Sequence, residues 1–214
     1  MRALQYVERV AWDRLWGRWG VAANTDVWFA RITAAYGEPR RHYHNLQHVD
    51  ACLEQAEALQ ETASDIDAVR AALWFHDVVY DPKSHTNEQD SALLFQEFAQ
   101  AVGLGADRVC EVQRLIELTA GHVVAVNDRN GAVMADADLA VLGASAEAYR
   151  DYADAIRSEY AFVEESNYAR GRREVLERFL ERSVIYQTSW MRDRYEQQAR
   201  LNLRSEIEKL SLLP

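Results

Sequence analysis

Imidazole and carboxylate side chains that could bind a metal ion gather in three short stretches of the sequence. The first, residues 41–48 (RHYHNLQH), holds three of the six histidines. His44 and His48 are four residues apart, so on a helix both would face one side, about one turn apart. Such a pair occurs both in metal sites and in packed cores, and the spacing alone leaves the two interpretations open.

The second stretch, residues 71–80 (AALWFHDVVY), places a histidine and an aspartate in a run that holds no other charge. On a predicted helix over 65–80, His76 lies on the apolar face and is expected to point into the core. A buried carboxylate at Asp77 is costly unless a partner compensates for its lost hydration. A bound cation would compensate, and so would a His–Asp hydrogen bond between two helices.

The third stretch, residues 133–142 (VMADADLAVL), contains two acids in an otherwise apolar segment. Asp136 and Asp138 are two residues apart, so on a helix they point about 200° apart. Only one of them can therefore face a given ligand. The other is expected to cap a helix or to meet solvent.

Together the three stretches supply two imidazoles and two carboxylates for one site: His48, His76, Asp77 and one of Asp136 or Asp138. This mixed set of nitrogen and oxygen donors suits a six-coordinate divalent ion such as Mn, Fe, Co, Ni or Mg. Zinc also fits where coordination positions stay open. The two cysteines are far apart in the sequence, which disfavours a structural zinc site.

The order His, His-Asp, Asp on helices resembles the HD superfamily of metal-dependent phosphohydrolases. Residues 43–48 also resemble the YHNxxH signature of cyclic-nucleotide phosphodiesterases. Most of the chain is similar to a group of small bacterial proteins identified as HD-superfamily metal-dependent phosphohydrolases. The matching stretches are 41–45, 74–82, 87–88, 91–92, 136–139 and 156–160.

The resemblance implies an all-α HD fold with a divalent metal ion held by four residues: His48, His76, Asp77 and Asp138. It further implies that metal-activated water cleaves a phosphate ester of a nucleotide or another small molecule. By position, His44 protonates the leaving oxygen. Asp77 or Asp138 is further expected to orient the water. Residues 79–81 (VYD) stand where the phosphodiesterases have a further histidine, and their purine-binding Gln/Phe segment has no counterpart, so a cyclic nucleotide is not implied.

Five further residues are candidates for the substrate site. Arg41 is predicted to bind the phosphate, because its planar fork can donate to two oxygens. Glu88 is predicted to be a catalytic base or a ligand of a second metal, although its place in the first turn of a helix explains it equally well. The remaining predicted substrate contacts are Lys83, His85 and His122, the last of which also fits a polar turn.

Two other functions remain open from the sequence. Some HD-fold proteins hold two irons and activate oxygen, and they carry extra histidines between the His-Asp pair and the final aspartate. Here only His85 and His122 lie between residues 77 and 138. The other alternative is a non-catalytic regulatory module that binds a metal or a nucleotide.

The elements that must position these residues are predicted to be helices. Nine glycines and three prolines in 214 residues are about half the usual density, which excludes a turn-rich sandwich or barrel. We predict an all-α single HD-type domain over 1–214, a bundle of about nine or ten helices. Its N-terminal (about 1–36) and C-terminal (about 168–214) helices are expected to pack on the metal-binding core. The predicted helices lie near 2–18, 24–36, 43–62, 65–80, 87–102, 106–120, 132–143, 146–165, 168–186 and 190–211.

The composition restricts partners and location. Lys and Arg total 24 against 34 Asp and Glu, and the net charge of −10 argues against nucleic-acid and membrane partners. The predicted partner is a small-molecule phosphate ester, and a homodimer is left open. No apolar run reaches membrane-spanning length and no signal segment is visible, so the expected location is the cytoplasm. Cys52 and Cys110 are expected to be buried free thiols.

Overall fold

The computed structural model describes residues 4–23 and 25–212, and these residues form an all-α protein without strands. The all-α prediction is therefore confirmed. Residues 1–3, 24, 213 and 214, which fall in the predicted terminal segments, lie outside the described residues. The helices in the described part are α1 (Arg9–Arg18), α2 (Asp26–Tyr36), α3 (Leu46–Ala58), α4 (Ile66–Phe75), α5 (Asn87–Val102), α6 (Ala106–Leu118), α7 (Arg129–Asp138), α8 (Ala146–Glu159), α9 (Glu165–Glu181) and α10 (Ser189–Leu210), with a 3-10 helix (Leu139–Gly143) before α8.

The chain forms two compact units, one that ends at Asp138 and one that begins at Leu139. The first contains α1 to α7 and every residue predicted for the functional site. The second contains the 3-10 helix and α8 to α10. That the chain is a single HD-type domain whose N-terminal and C-terminal helices pack on a metal-binding core stays a prediction.

An aromatic cluster forms the core of the first unit beside α4. The rings of Trp12 and Trp74 meet edge to face at a centroid distance of 5.1 Å, and the ring of Trp16 lies 4.5 Å from that of Phe98. Both α1 tryptophans are almost fully buried. Each such pair adds about 0.5–1.5 kcal/mol beyond the area it buries. The core thereby holds α4, and with it the histidine at its end, in a rigid setting.

Helices α3, α4 and α7 pack against one another, and the predicted ligands lie at or next to one end of each helix. Asn130 links α7 to the start of α4. Its side-chain oxygen accepts hydrogen bonds from the backbone N–H groups of Ser64 and Asp65, each at 2.9 Å, and these two residues directly precede α4. Asp65 in turn caps α4 by accepting from the N–H groups at its start. The beginning of α4 is thus fixed to α7.

Two helix ends differ from the sequence-based boundaries in ways that matter for the site. Helix α3 begins at Leu46 rather than near 43, because the Asn45 side chain accepts from the N–H of Gln47 and caps the helix. His44 therefore precedes the helix. Helix α4 ends at Phe75 rather than near 80, and the carbonyl groups of the next residues bind a side chain instead of continuing the helix.

The expectation for one cysteine is wrong. Cys52 is buried, but Cys110 is exposed. The buried face of α6 is formed by Val112, Leu115 and Ile116. Cys110 lies two positions before Val112, which turns it about 200° away from that face.

The second unit contains its own buried polar network. Glu206 of α10 accepts from the hydroxyl of Tyr149 at 2.5 Å and from the guanidinium of Arg172 at 2.8 Å. Asn202 donates to the carbonyl of Leu142 at 2.8 Å and holds the 3-10 helix against α10. In the described part of the chain, no helix is both long enough and apolar enough to span a membrane.

Candidate metal centre

The ends of three helices bring four predicted ligands together. His48 lies in the first turn of α3, His76 directly follows the last residue of α4, and Asp138 is the last residue of α7. Asp77 follows His76. The two imidazoles are almost fully buried, whereas the two carboxylates keep 16% and 13% of their side-chain surface exposed. The acids therefore form the side of the cluster that solvent can reach.

One ring nitrogen of each histidine faces the two carboxylates. The Nε2 atoms of His48 and His76 are 3.1 Å apart. Nε2 of His48 lies 3.0 Å from Oδ1 of Asp138 and 3.4 Å from Oδ2 of Asp77. Nε2 of His76 lies 3.0 Å from Oδ2 of Asp77 and 3.4 Å from Oδ1 of Asp138. Four potential ligand atoms thus converge on one small volume.

The tautomer of His76 follows from its other ring nitrogen. Nδ1 lies 3.0 Å from the carbonyl oxygen of Leu73, one turn back along the chain. A carbonyl oxygen only accepts, so Nδ1 carries the proton of the neutral ring. The lone pair is then on Nε2, the atom that faces the cluster. Metal-binding histidines are commonly oriented in this way.

The cluster stabilises positive charge. Burial lowers the pKa of His76, but the charges of Asp77 and Asp138 outweigh it and hold that pKa well above its usual value. Burial has the largest single effect on the pKa of Asp77 and raises it, but the charges of His76 and His44 and the hydrogen bonds from His48 and His76 together hold that pKa well below its usual value. Burial likewise raises the pKa of Asp138, but the charge of His76 and the hydrogen bonds from His122, His48 and His76 together hold that pKa well below its usual value. Lone pairs and carboxylates this close repel one another unless protons or a cation lie between them.

The separations fit a single divalent ion. Two ligand atoms held at about 2.1 Å from one ion lie roughly 3.0 Å apart in octahedral geometry and about 3.4 Å apart in tetrahedral geometry. The measured separations between the imidazole and carboxylate atoms run from 3.0 to 3.4 Å. The donor set therefore suits a metal ion in both its chemistry and its spacing.

A cysteine that the sequence interpretation left out belongs to the same group. Ligand atoms of four residues lie within 4.8 Å of one another and could hold a metal ion: His48, Cys52, His76 and Asp138. Cys52 is one helical turn after His48, and that spacing was the available signal. Of the two acids in α7, the structure brings Asp138 to the imidazoles, whereas Asp136 is fully buried.

His44 lies beside this cluster although it is not on the helix. Its ring stacks on that of Tyr80 at a centroid distance of 4.2 Å and lies 5.9 Å from the ring of His48. Burial raises the pKa of Asp77, and the charge of His76 lowers it. The positive charge of His44 is the next contribution and lowers the pKa of Asp77 further. The imidazole is half-buried and thus accessible from solvent.

Arg41 connects the segment that carries His44 to the His76-Asp77 doublet. The guanidinium donates to the carbonyl oxygens of Asp77 at 2.5 Å, Val78 at 2.8 Å and His44 at 3.3 Å. Only 2% of the Arg41 side chain is exposed. The fork expected to bind phosphate is thus occupied by backbone carbonyls, and the geometry gives Arg41 a positioning role.

The remaining predicted residues lie at different distances from the centre. His122 contacts the cluster directly, since its Nε2 is 2.8 Å from Oδ2 of Asp138. Lys83 and His85 are exposed in the loop between α4 and α5, and Glu88 is half-buried in the first turn of α5. His122 therefore lies within hydrogen-bond distance of a predicted ligand.

Comparison with known proteins gave no match to a family model, to a curated protein or to a solved structure. The geometry is consistent with an HD-type metal centre, and no family is assigned on that basis.

Proposed function

We propose that this chain is a metal-dependent phosphohydrolase that cleaves a phosphate ester of a nucleotide or another small molecule. One observation carries the proposal: the Nε2 atoms of His48 and His76 meet Asp77 and Asp138 at 3.0–3.4 Å, with a half-buried imidazole beside them. A metal centre next to a proton-donating group can supply an activated water and a proton for the leaving oxygen, the two functions that hydrolysis of a phosphate ester uses.

Four residues would hold the ion: His48, His76, Asp77 and Asp138. When bound, a divalent ion supplies water of lowered pKa and neutralises charge on the phosphate. The two imidazoles are buried and keep the donor atoms fixed. The two carboxylates are partly exposed, so they face the direction from which a substrate arrives. Asp77 also accepts a hydrogen bond from water and orients it.

His44 is the proposed general acid. Stacking on Tyr80 fixes the plane of its ring, and the half-buried position lets the ring reach a substrate outside the cluster. Its proton passes to the ester oxygen that leaves. Lys83 and His85 are proposed to contact the phosphate from the adjacent loop, and Glu88 is kept as a base at the edge of the site.

The test is metal analysis of the purified protein, followed by a phosphate-release screen. The screen covers nucleotides, cyclic nucleotides and small phosphomonoesters with Mn²⁺, Co²⁺, Ni²⁺ and Mg²⁺. We expect His76→Ala to lose both metal and turnover, and His44→Ala to keep the metal but lose turnover. His42→Ala is the matched control, because His42 is exposed two residues from His44.

Two results would contradict the proposal. The first is full turnover by His76→Ala protein that contains no metal. The second is wild-type protein that binds metal and releases no phosphate from any compound of the screen. Oxygen consumption with two irons bound per chain would instead favour the di-iron alternative.

A further inference from the structure

A cavity of about 740 Å³ lies within the second unit, where it is lined by α8, α10 and the start of α9. Its lining residues all fall within 146–210, whereas every predicted metal ligand belongs to the first unit. On α8, Ala146, Tyr149 and Ala153 follow one another at spacings of three and four, so they share the face that lines the cavity. The two alanines leave the space open because their side chains are single methyl groups. Sites for small molecules have volumes of roughly 300–1,000 Å³, and this cavity lies in that range.

The buried part of the cavity carries one polar group without a partner. Glu206 lines the cavity, and its carboxylate already accepts from the hydroxyl of Tyr149 and the guanidinium of Arg172. Tyr168 also lines the cavity and is only 8% exposed. Among the residues that the structure describes, nothing forms a hydrogen bond with the Tyr168 hydroxyl. Buried polar groups are nearly always hydrogen-bonded, so this hydroxyl indicates a molecule bound in the cavity.

The surroundings of Tyr168 favour an acceptor that carries negative charge. Burial raises the pKa of Tyr168 to about 12, so the hydroxyl keeps its proton at neutral pH and can donate it in a hydrogen bond. The guanidinium of Arg157 lies 4.6 Å from the centroid of the Tyr168 ring and donates to two backbone carbonyl oxygens rather than to a carboxylate. Because Arg172 neutralises Glu206, the positive charge of Arg157 remains beside the hydroxyl.

The exposed rim of the cavity does not oppose this charge preference. Two basic and two acidic side chains, all exposed, form it: Arg150, Lys209, Asp154 and Glu165. Their charges cancel, and solvent screens them more than it screens the buried groups. Leu201 and Leu210 add apolar surface beside them. The cavity thus combines an apolar wall with a buried hydrogen-bond donor next to a cation.

We propose that this cavity binds a small monocarboxylate with an apolar body. The carboxylate accepts the hydrogen bond of the Tyr168 hydroxyl, and the body packs against the methyl groups of Ala146 and Ala153 and against Leu201. A hydrogen bond to an ionised acceptor is roughly twice as strong as one between neutral groups, so the charge of the ligand matters. The inference concerns the second unit and depends neither on the metal centre nor on phosphohydrolase activity.

The test is calorimetric titration of the full-length protein with three probes that share one ring system. Naphthoate is the anion, naphthamide is neutral, and naphthylmethylammonium is the cation. We expect naphthoate to bind one site per chain and to bind at least about tenfold more tightly than naphthamide. Naphthylmethylammonium should not bind measurably.

Removing the hydroxyl tests its role in binding. Tyr168→Phe should weaken naphthoate binding about tenfold or more, the effect of losing one hydrogen bond to a charged group, and should weaken naphthamide binding less. Tyr195→Phe is the matched control, because Tyr195 lies on α10 but does not line the cavity. It should bind naphthoate as the wild type does.

Filling the cavity is an independent test of its position. Ala153→Phe places a ring in the open space and should abolish naphthoate binding. Ala148→Phe is the matched control, because Ala148 is exposed on α8 and does not line the cavity. Thermal unfolding shows whether each variant folds. Tyr168→Phe keeps the size of the ring and decides the matter if Ala153→Phe does not fold.

Three results would overturn the inference. They are wild-type protein that does not bind naphthoate, folded Ala153→Phe that binds it as tightly as the wild type, and Tyr168→Phe with unchanged affinity. Tighter binding of naphthylmethylammonium than of naphthoate would also overturn it, because the cavity would then select a cation. All of these measurements are made without added metal and without a phosphate ester, so they leave the proposed function to its own test.

Discussion

Nε2 of His122 lies 2.8 Å from Oδ2 of Asp138, while Oδ1 of the same carboxylate lies 3.0 Å from Nε2 of His48. The two oxygens of Asp138 therefore have separate neighbours. His122 holds the carboxylate in the rotation that turns Oδ1 towards the two buried imidazoles. Groups that orient a metal ligand in this way commonly change metal affinity 10- to 100-fold when they are removed.

We expect substitution of His122 to weaken metal binding without abolishing it. His122 has a φ of 49°, a left-handed conformation that asparagine adopts readily and alanine does not. His122→Asn should therefore lower metal affinity about 10- to 100-fold with little loss of stability. His122→Ala should show the same affinity loss and a larger destabilisation than His122→Asn, because alanine adopts this conformation less readily than histidine or asparagine. Calorimetric titration and thermal unfolding measure the two effects.

The control for this prediction is His42→Asn, since His42 is exposed in another segment. Unchanged metal affinity in both His122 variants would show that Asp138 does not depend on this contact. A complete loss of metal from His122→Asn would instead identify His122 as a ligand.

Arg41 is expected to be one of the most sensitive positions for stability in the first unit. Its buried guanidinium donates to three carbonyl oxygens, and lysine cannot reproduce that fork. We expect Arg41→Lys to lower the free energy of unfolding by roughly 2 kcal/mol, because carbonyl groups are left without donors. Arg40→Lys is the matched control, since the Arg40 side chain is 60% exposed. Urea denaturation measures the free energy of unfolding of both variants. Equal unfolding midpoints for Arg41→Lys and Arg40→Lys would contradict the positioning role of Arg41.

The sequence predicted the fold class and the three stretches of the candidate site, because those signals are local. Helical periodicity repeats along the chain, and the acids interrupt apolar runs. The Asn45 cap was also a local signal, and it moves His44 out of the helix. The ring nevertheless stays near His48, so the error in the helix boundary leaves their proximity unchanged.

Other features depend on contacts between distant residues. The role of Arg41 is set by carbonyls of Asp77 and Val78, 36 and 37 positions away, which no local pattern shows. Helix α4 ends early for the same reason, because the carbonyl oxygens of Asp77 and Val78 accept hydrogen bonds from the Arg41 side chain. Cys52 has helical spacing from His48, but only the approach of α4 and α7 reveals that the thiol is near the other ligands.

The stack between His44 and Tyr80 leads to a prediction for turnover. Removing the Tyr80 ring frees the His44 imidazole to adopt other orientations, and stacking of this kind contributes about 0.5–1.5 kcal/mol. We expect Tyr80→Leu to bind metal normally and to lower kcat of phosphate release roughly tenfold, which corresponds to about 1.4 kcal/mol.

A double-mutant cycle tests whether Tyr80 acts through His44. In the His44→Ala background, Tyr80→Leu should cause no further loss of kcat. Full additivity of the two losses would contradict a positioning role for Tyr80.

Stability should fall in acid partly through Asp67 at the start of α4. Burial raises the pKa of Asp67, but hydrogen bonds from Arg18 and Arg70 outweigh it and lower that pKa. The contacts to Arg18 are 2.6 Å long, and that to Arg70 is 2.8 Å. A carboxyl whose pKa is lower in the folded than in the unfolded chain binds fewer protons when folded. Its stabilisation is complete above the unfolded pKa of about 3.9 and disappears as the pH falls through the folded pKa.

We therefore expect Asp67→Asn to lower the free energy of unfolding by about 1 kcal/mol at pH 7, a value that allows for screening of the exposed Arg18. The difference from wild type should shrink steadily as the pH falls below about 4, because the wild-type carboxylate becomes protonated there. Urea midpoints at several pH values measure this convergence. Asp13→Asn is the control, since its ion pair with Arg9 is exposed and should contribute little at any pH. A constant difference between wild type and Asp67→Asn over this range would mean that packing, rather than the charge of Asp67, stabilises the start of α4.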